Sequence, residues 1–537
     1  MAATTIAAKV LIAASEFEPL TNVGNLGRVV QNLSVALNKK KAGAAGDMPD
    51  VYPDVRVALP KYNNIPAKYT DSAALVCEFK AILGRRTYPC AVYRTEYRGV
   101  TIYLVSCGDY FERNQVYSSV VEDIERYSCF CNALLMMLPR VGFIPDIIQC
   151  HDWHMSYIPI LYKAHRNWRA SNLDFKTLFV IHNMQYQGVC SRYEMLDLLD
   201  LSDDFFTPST LEFYGQANSL KGGLLFSDKL ATVSPNFSSE IQHAYYGENL
   251  EGIIRARSAD IYGILCGIDP DIYNPETDDR IYVKYDAKTV HKNKPINKVR
   301  LQKLLGFEQN PDIPLLIVIS DELDYDKGVE LIRHVFDDIV ALGAQIILAS
   351  KGKPDNHEFF IVKAAQHQDR VAYVRYIGGV IWDGSKWAGW NEPGGQDKKS
   401  APADSNVPGI AGTPNTLTET MLIGGSDALL RPSRVEPCGE KHLIALKYGT
   451  LPIVRETGGL KDVVISYKDE TDLGNGFSFA NYNAHDMLYT ISRAVNIFRN
   501  DRGTWNKLIV SAMQINATWD GAAEKYRGIY KSLTGTR

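Results

Sequence analysis

Residues 9–60 decide the fold class, because they contain KVLIAAS (9–15), GNLGRVVQNLSVALNKK (24–40) and VRVALP (55–60) in that order. The first and last runs are continuously apolar, which is typical of parallel strands buried on both faces. The middle stretch has apolar residues at helical spacing, namely Leu26, Val29, Val30, Leu33 and Leu37. A strand, a helix and a second strand in succession predict an α/β fold with a parallel sheet.

The same alternation continues along the chain. In the first half the further apolar runs are TIYLVS (101–106), DIIQC (146–150), TLFVIHN (177–183) and LATVS (230–234). After a polar stretch around 274–298, it restarts with LLIVIS (315–320), QIILAS (345–350), VAYV (371–374), DALLRPS (427–433) and LPIVRE (451–456). Two such blocks predict two doubly wound domains that face each other, with ligands bound beyond the carboxyl ends of the strands.

Composition disfavours a nucleic-acid-binding, zinc-binding or membrane protein. The chain has 537 residues with 58 Lys and Arg against 62 Asp and Glu, so its net charge of −4 disfavours nucleic acid as a main partner. Nine cysteines, an odd number, favour reduced core residues, and the CxC of Cys129 and Cys131 lacks the second pair of a zinc site. Without a signal sequence, a transit peptide or a long apolar run, we expect a cytoplasmic protein that does not bind membranes.

Three motifs follow predicted strands, where a ligand site is expected. HDWH (151–154) and IHNMQYQG (181–188) end strands of the first block. The pair His151 and His154 is interpreted as packing or hydrogen bonding, because no third metal ligand accompanies it. PSRVEPCGEKHLIALKYG (432–449) predicts a strand end, a sharp turn and a helix beginning near Gly439, whose free N–H groups would suit a phosphate.

Residues 377–416 interrupt the alternation with a Gly- and Pro-rich stretch. It carries three tryptophans, Trp382, Trp387 and Trp390. One interpretation is a solvated insertion. The alternative is a docking surface for an α-glucan or a protein partner, since exposed tryptophans are costly in water.

Together these motifs resemble those of the bacterial and plant glycogen and starch synthases. The resemblance runs from KVLIAASEFEPL through HDWH, IHNMQYQG and GILCGIDPDIYNPETD (263–278) to KYGTLPIVRETGGLKD and WDGAAEKYRGIY (519–530). It implies a GT-B fold: an acceptor-side Rossmann-like domain over 1–285, a nucleotide-sugar domain over 286–504 and a last helix within 505–537 that crosses back. It also implies retaining glucosyl transfer from ADP-glucose or UDP-glucose, without a metal or another cofactor.

Several of the family's functional positions are retained here. By the resemblance, His182 and Asp152 are catalytic residues of the first domain, and Lys327 and Glu436 are those of the second. Four further positions match donor-binding ones, namely Gly24, Asn183, Cys438 and Gly439. These residues favour a nucleotide-sugar site.

Other family positions are substituted, mostly where the donor's diphosphate binds. They are Asn22, Asn25, Arg28, Cys266, Glu322, Glu440 and Lys441. Glu322 stands where the family has an arginine that clamps the diphosphate. One charge pair at about 4 Å and an effective dielectric near 20 is worth roughly 4 kcal/mol, so this exchange turns an attraction into a repulsion.

These substitutions lead to three hypotheses. The first is a family member whose glucosyl transfer is weak or lost, a pseudoenzyme retained for binding or assembly. The second is an active α-1,4-glucan synthase with a rearranged donor site, in which Arg28 or Lys441 replaces the lost positive charge. The third is a purely structural component of a large assembly.

Overall fold

The computed structural model describes residues 6–39, 52–165, 173–320, 322–350, 354–377, 380–382 and 417–535. Within them the chain forms two compact units. The first comprises residues 1–266 and 519–537, and the second comprises residues 267–518.

These divisions fall at different places from the predicted 285/286 and 504/505. The segment before residue 286 packs with the second unit, since the hydroxyl of Tyr285 donates to the carbonyl of Tyr448 at 2.9 Å. Trp505 likewise stacks on Phe477 of the second unit, with 6.0 Å between ring centroids. Of residues 505–537, only 519–537, which contain the last helix, belong to the first unit. There the guanidinium of Arg527 donates to the carbonyl of Ala36 at 3.0 Å.

The first unit is built around a nine-stranded sheet. Its strands, in spatial order, are Ile261–Gly263, Lys229–Thr232, Lys176–Ile181, Ile147–His151, Ile6–Ala13, Tyr52–Pro60, Val100–Cys107, Arg86–Tyr97 and Ala74–Leu83. The seven from Ile261–Gly263 to Val100–Cys107 are parallel, as the continuous apolar runs predict. The last two form an antiparallel hairpin at one edge, which the sequence analysis missed.

The second unit has an eight-stranded sheet. In spatial order the strands are Leu417–Thr418, Val380–Trp382, Val371–Ile377, Gln345–Ser350, Leu315–Ile319, Ala428–Arg431, Leu451–Arg455 and Phe477–Phe479. The six from Val371–Ile377 to Phe477–Phe479 are parallel. Val380–Trp382 pairs antiparallel with both of its neighbours, Val371–Ile377 and the edge strand Leu417–Thr418. A small three-stranded sheet, Val189–Cys190, Gln216–Asn218 and Glu212–Phe213, belongs to the first unit.

Helices connect the strands of both units. Those of the first are Leu26–Asn38, Ala67–Thr70, Val120–Met137, Tyr157–Ala164, Arg192–Leu199, Ser219–Phe226, Pro235–Glu240, Ala244–Gly247, Glu251–Ala256 and Trp519–Thr534. Those of the second are Val290–Leu305, Val329–His334, Phe336–Ala341, Pro354–Gln366, Glu419–Gly425, Lys441–Lys447, Gly458–Val463, Ala484–Asn500 and Arg502–Met513. The predicted helix near 328–342 is thus two short helices that meet at Val335.

The structure bears on three predictions from composition. All nine cysteines are free, and Cys77 and Cys438 are the two that are not buried. No helix in the described part of the chain is long and apolar enough to cross a membrane. Among the same residues, no group of three or more His, Cys, Asp or Glu side chains is arranged to hold a metal ion.

Candidate functional site

The retained residues of the first unit lie where two parallel strands end. Strand Ile147–His151 runs into Asp152, and strand Lys176–Ile181 runs into His182. The Asp152 carboxylate accepts a hydrogen bond from the backbone N–H of His182 at 2.7 Å. Adjacent parallel strands therefore bring the HDWH and IHN motifs together, as their placement after strands predicts.

The backbone at Asp152 adopts a conformation that most residues avoid. Its φ of 57° and ψ of 179° fall in a region used almost only by glycine, at a cost of about 1–3 kcal/mol. Strain of this kind persists only when the surrounding structure imposes it, and it is commonest at functional sites. Asp152 is therefore held in place by its side chain and its neighbours rather than by local preference.

Burial shifts the ionisation of both side chains in opposite directions. It raises the pKa of Asp152 to about 7, and hydrogen bonds from the backbone of His182 and Asn183 oppose the rise only in part. Burial also lowers the pKa of His182 to about 3. At neutral pH His182 is an uncharged imidazole, and Asp152 exchanges its proton close to the working pH.

The second histidine of HDWH has a structural role. His154 is buried, and its ring stacks on Trp153 with 4.0 Å between centroids. Burial lowers the pKa of His154 to about 3. The packing interpretation of this residue agrees with the structure.

The loop that carries Gly24 is held by Glu16, a buried residue that the sequence analysis missed. The Glu16 carboxylate accepts from the backbone N–H groups of Val23 at 2.7 Å and Gly24 at 3.0 Å. A Cβ added to Gly24 would meet no atom within 4 Å. Asn22 and Asn25 are exposed on the same loop.

Two other substituted positions of the first unit have protein partners. The guanidinium of Arg28 donates to the Glu18 carboxylate at 2.9 Å, so its charge is balanced. Cys266 is buried, and its thiol lies 3.9 Å from the carbonyl oxygen of Val233. Asn183 is fixed within its loop, because its side-chain oxygen accepts from the backbone N–H of Gln185 at 2.9 Å.

The central residue of the second unit's site is Glu436, which is only 2% exposed. One of its carboxylate oxygens accepts from the Lys327 ammonium at 3.0 Å, the Arg431 guanidinium at 2.6 Å and the Ser433 hydroxyl at 2.9 Å. Against the opposing effect of burial, Arg431 and Lys327 hold the pKa of Glu436 well below its usual range. Glu436 is a permanent anion flanked by two cations.

Arg431 is a partner of Glu436 that sequence reasoning missed. It closes the buried strand Ala428–Arg431, and its guanidinium also donates to the carbonyl of Ile319 at 2.7 Å. Its position in the sequence indicates an anionic partner, since an arginine at the end of an apolar run is costly to bury without one.

Lys327 reaches Glu436 because its turn packs closely against the neighbouring strand end. Gly328 has a φ of +74°, and a Cβ there would come within 2.2 Å of the carbonyl oxygen of Pro432. The turn is fixed further by Arg434, whose guanidinium donates to the Asp326 carboxylate at 2.6 Å. The DKG sequence therefore places the lysine by a contact that only glycine permits.

The two glycines of RETGGLKD pack against the backbone of the Pro-Cys-Gly turn. A Cβ on Gly458 would lie 2.0 Å from the carbonyl oxygen of Glu436, and one on Gly459 would lie 1.9 Å from that of Cys438. These glycines thus allow close approach to the turn itself. Cys438 is half-buried, and Gly439 has a φ of +73°.

The remaining substituted positions do not present free cations. The helix after the turn begins at Lys441, two residues later than predicted. The Lys441 ammonium lies 2.7 Å from both carboxylate oxygens of Glu419, and both side chains are buried. Glu440 is also buried, whereas Glu322 is exposed.

Comparisons with known proteins agree with the geometry. Residues 9–256 match the family model of the starch synthase catalytic domain. The chain is 38% identical to glycogen synthases of Desulforamulus reducens, over 98% of both chains, and of Clostridium acetobutylicum, over 98% of this chain and 100% of the other. The catalytic domain of starch synthase IV from Arabidopsis thaliana, solved with ADP and acarbose, superposes with a TM-score of 0.81 at 28% identity. That superposition covers 99% of this chain and 100% of the other.

A more distant solved structure shares the fold alone. Sucrose-phosphate synthase from Thermosynechococcus elongatus is 15% identical, with a TM-score of 0.56, over 99% of this chain and 100% of the other. The two doubly wound sheets and the likeness to starch synthase IV confirm the predicted α/β, GT-B fold. The chain belongs to the glycogen and starch synthase family of GT-B glycosyltransferases.

Proposed function

We propose that this protein is an active α-1,4-glucan synthase that transfers glucose from ADP-glucose or UDP-glucose through a rearranged donor site. The observation that carries the proposal is the pairing of Glu436 with two cations, Lys327 and Arg431. The identity of 38% to proteins named glycogen synthase favours activity over its loss.

Counting charges explains how the site can accept a diphosphate. Arg431 is buried, and its guanidinium neutralises the Glu436 carboxylate. Lys327 is 28% exposed, so its ammonium remains accessible while Glu436 is already balanced. The cluster therefore carries a net charge of about +1 for a ligand anion, and preorganised charge of this kind stabilises a departing diphosphate.

Glu322 replaces an arginine of the family, and this replacement disfavours diphosphate binding less than the sequence alone suggests. Glu322 is exposed. Water and salt therefore screen its repulsion of a diphosphate, in contrast to the buried charges around Glu436. Glu322 is therefore compatible with retained glucosyl transfer.

Arg28 and Lys441, the two cations first considered as replacements for the family's arginine, have other roles. Arg28 is paired with Glu18 and Lys441 with Glu419. A cation that already has a carboxylate partner gains less from a ligand anion. Arg431 and Lys327 also contact a carboxylate, but they share the single one of Glu436, so their cluster keeps one positive charge in excess.

In the first unit, Asp152 and His182 supply the groups that contact a sugar. Ionised Asp152 accepts hydrogen bonds from hydroxyl groups, and neutral His182 exchanges hydrogen bonds with a sugar oxygen without adding charge. With pKa values of about 7 for Asp152 and about 3 for His182, ionised Asp152 and neutral His182 are both populated near neutral pH.

A comparison of wild type with Glu322→Arg tests the proposal. We measure glucose incorporation into a glucan primer from ADP-glucose and from UDP-glucose. The proposal predicts a wild-type turnover of about 1 per second or more. It also predicts that Glu322→Arg changes the rate by less than about tenfold, since the exposed position has little electrostatic influence.

The hypothesis of weak or lost transfer predicts the opposite pattern. Wild type would be nearly inactive, and restoring the arginine would raise the rate by about a hundredfold or more. Glu470→Arg, at another exposed glutamate of the same unit, controls for the change of net charge.

Asp152→Asn tests the shifted ionisation of this residue. Because the folded pKa of Asp152 lies above its unfolded value of 3.8, ionisation favours the unfolded state. The variant should therefore be more stable than wild type, by a margin that grows from about pH 4 to about pH 7 and is constant above it. Wild-type kcat/KM should rise with pH through about 7, and the variant should be slow without this rise.

Urea denaturation across this pH range measures the stability difference. Asp200→Asn is the matched control, since Asp200 also has a positive φ, of 52°, but is exposed. A stability gain for Asp152→Asn that is the same at every pH would contradict the assignment.

Two further expectations remain proposals. The Trp-bearing insertion is proposed to bind an α-glucan or a protein partner. Trp387 and Trp390 lie outside the described residues, and Trp382 ends the strand Val380–Trp382. A cytoplasmic location likewise remains a prediction from the sequence.

A further inference from the structure

A row of four hydrogen-bonded side chains runs from the last helix to His182. The Tyr530 hydroxyl donates to the side-chain oxygen of Gln149 at 2.7 Å. The Gln149 amide nitrogen lies 2.8 Å from Nε2 of His151. Nδ1 of His151 in turn lies 2.8 Å from Nε2 of His182.

The interior of this row is inaccessible to water. Tyr530 is 2% exposed, and both Gln149 and His151 are 0% exposed. Each buried polar atom must therefore find its partner within the row, because an unsatisfied one costs about 1–3 kcal/mol. The direction of one hydrogen bond consequently fixes the direction of the next.

The hydrogen-bond directions, taken in order from Tyr530, assign the tautomer of each histidine. Because the oxygen of Gln149 accepts from Tyr530, its NH₂ group faces His151, and Nε2 of His151 must be an acceptor. The ring proton of His151 is then on Nδ1 and is donated to Nε2 of His182. The proton of His182 is left on Nδ1.

Both histidines are neutral, as this assignment requires. Burial, reinforced by the neighbouring His182, lowers the pKa of His151 well below its usual range. Burial alone lowers the pKa of His182 to about 3. Nδ1 of His182 has no hydrogen-bond partner within the described ranges, and the side chain is partly exposed.

We propose that Tyr530 is a positioning residue that acts through Gln149 and His151 to present His182 as an Nδ1–H donor to an oxygen of the bound donor glucose. The role in transfer rests on the proposed function, whereas the tautomer does not. Tyr530 lies on the helix Trp519–Thr534, the segment that returns to the first unit after the second has been completed. Docking of this last helix thus sets the hydrogen-bonding direction of a catalytic residue.

The tautomer can be read directly by nitrogen NMR of the full-length protein labelled at histidine, with the signals of His182 assigned from His182→Gln. Wild type is expected to carry its proton on Nδ1 of His182. Tyr530→Phe removes only the hydroxyl and should shift a measurable fraction to Nε2. Gln149→Met, which removes the donor to His151, should produce the same shift and serves if Tyr530→Phe fails to fold.

Tyr526→Phe is the matched control. Tyr526 lies one turn earlier on the same helix and is equally buried, but it is not in the row. Its variant should leave the His182 signals at their wild-type values. A wild-type proton on Nε2, or unchanged His182 signals in both Tyr530→Phe and Gln149→Met, would overturn the proposal.

The kinetic consequence is measured separately. Tyr530→Phe should lower kcat by about fivefold to tenfold with little change in KM, since the lost preference for one tautomer affects the transition state. An equal rise in KM at unchanged kcat would contradict a positioning role in transfer. If wild type transfers no glucose, the proposed function fails, and the NMR spectra still decide the tautomer.

Discussion

Replacing Lys327 with methionine is expected to lower kcat/KM for ADP-glucose by about three orders of magnitude. A cation about 4 Å from a diphosphate charge contributes roughly 4 kcal/mol at an effective dielectric near 20, and each tenfold in rate corresponds to about 1.4 kcal/mol. Lys327 is the partly exposed cation of the Glu436 cluster, so a ligand anion meets it directly.

The same variant should fold normally. Arg431 and Ser433 still hold the Glu436 carboxylate, so we expect the free energy of unfolding to fall by only about 1 kcal/mol. Lys468→Met removes an exposed lysine of the same unit and should leave both quantities unchanged. A loss of less than about tenfold in kcat/KM for Lys327→Met would show that this ammonium does not bind the diphosphate.

Glu436→Gln is expected to have the largest effect on stability. Breaking a buried ion pair by removing one partner costs about 3–5 kcal/mol, because the remaining charge stays buried. Here the amide would leave Arg431 without its carboxylate and close to Lys327, a like charge. We expect the free energy of unfolding at neutral pH to fall by about that amount and glucosyl transfer to be lost.

The pH dependence and a double variant sharpen this test. Because the folded pKa of Glu436 lies below its unfolded value of 4.5, the carboxylate stabilises the protein fully above that pH. The deficit of Glu436→Gln should therefore shrink as the pH falls below about 4.5.

Adding Arg431→Met to Glu436→Gln should restore part of the stability, since the buried cation that lost its partner is then removed as well. Glu470→Gln, at an exposed site, is the control. A double variant less stable than Glu436→Gln alone would refute the ion-pair account.

Much of the fold could be predicted because its strands are buried on both faces. Continuous apolar runs such as TIYLVS and QIILAS fall on strands Val100–Cys107 and Gln345–Ser350. The hairpin Ala74–Leu83 and Arg86–Tyr97 was missed because exposed residues alternate with buried ones along it, so no run stands out. The helix near 328–342 was predicted as one because its apolar spacing continues across the break at Val335.

The sequence motifs of the candidate site could be predicted, but the ion-pair partners of its charged residues could not. Motifs that follow strands contain Asp152 and His182 in the first unit and Lys327 and Glu436 in the second, and each unit brings its own pair together. The pairing of Lys441 with Glu419 joins residues from two different helices, so Lys441 looked available for a phosphate. Likewise, nothing local to Gln149 indicates that its partner is Tyr530, on the last helix.

The turnover of the wild-type protein decides whether glucosyl transfer is retained. Purified full-length protein is given a glucan primer with saturating ADP-glucose or UDP-glucose, and glucose incorporation is followed beside that of Glu436→Gln. If transfer is retained, we expect a wild-type turnover of about 1 per second or more with at least one donor, and none for the variant. A wild-type rate equal to that of Glu436→Gln with both donors would contradict retained transfer.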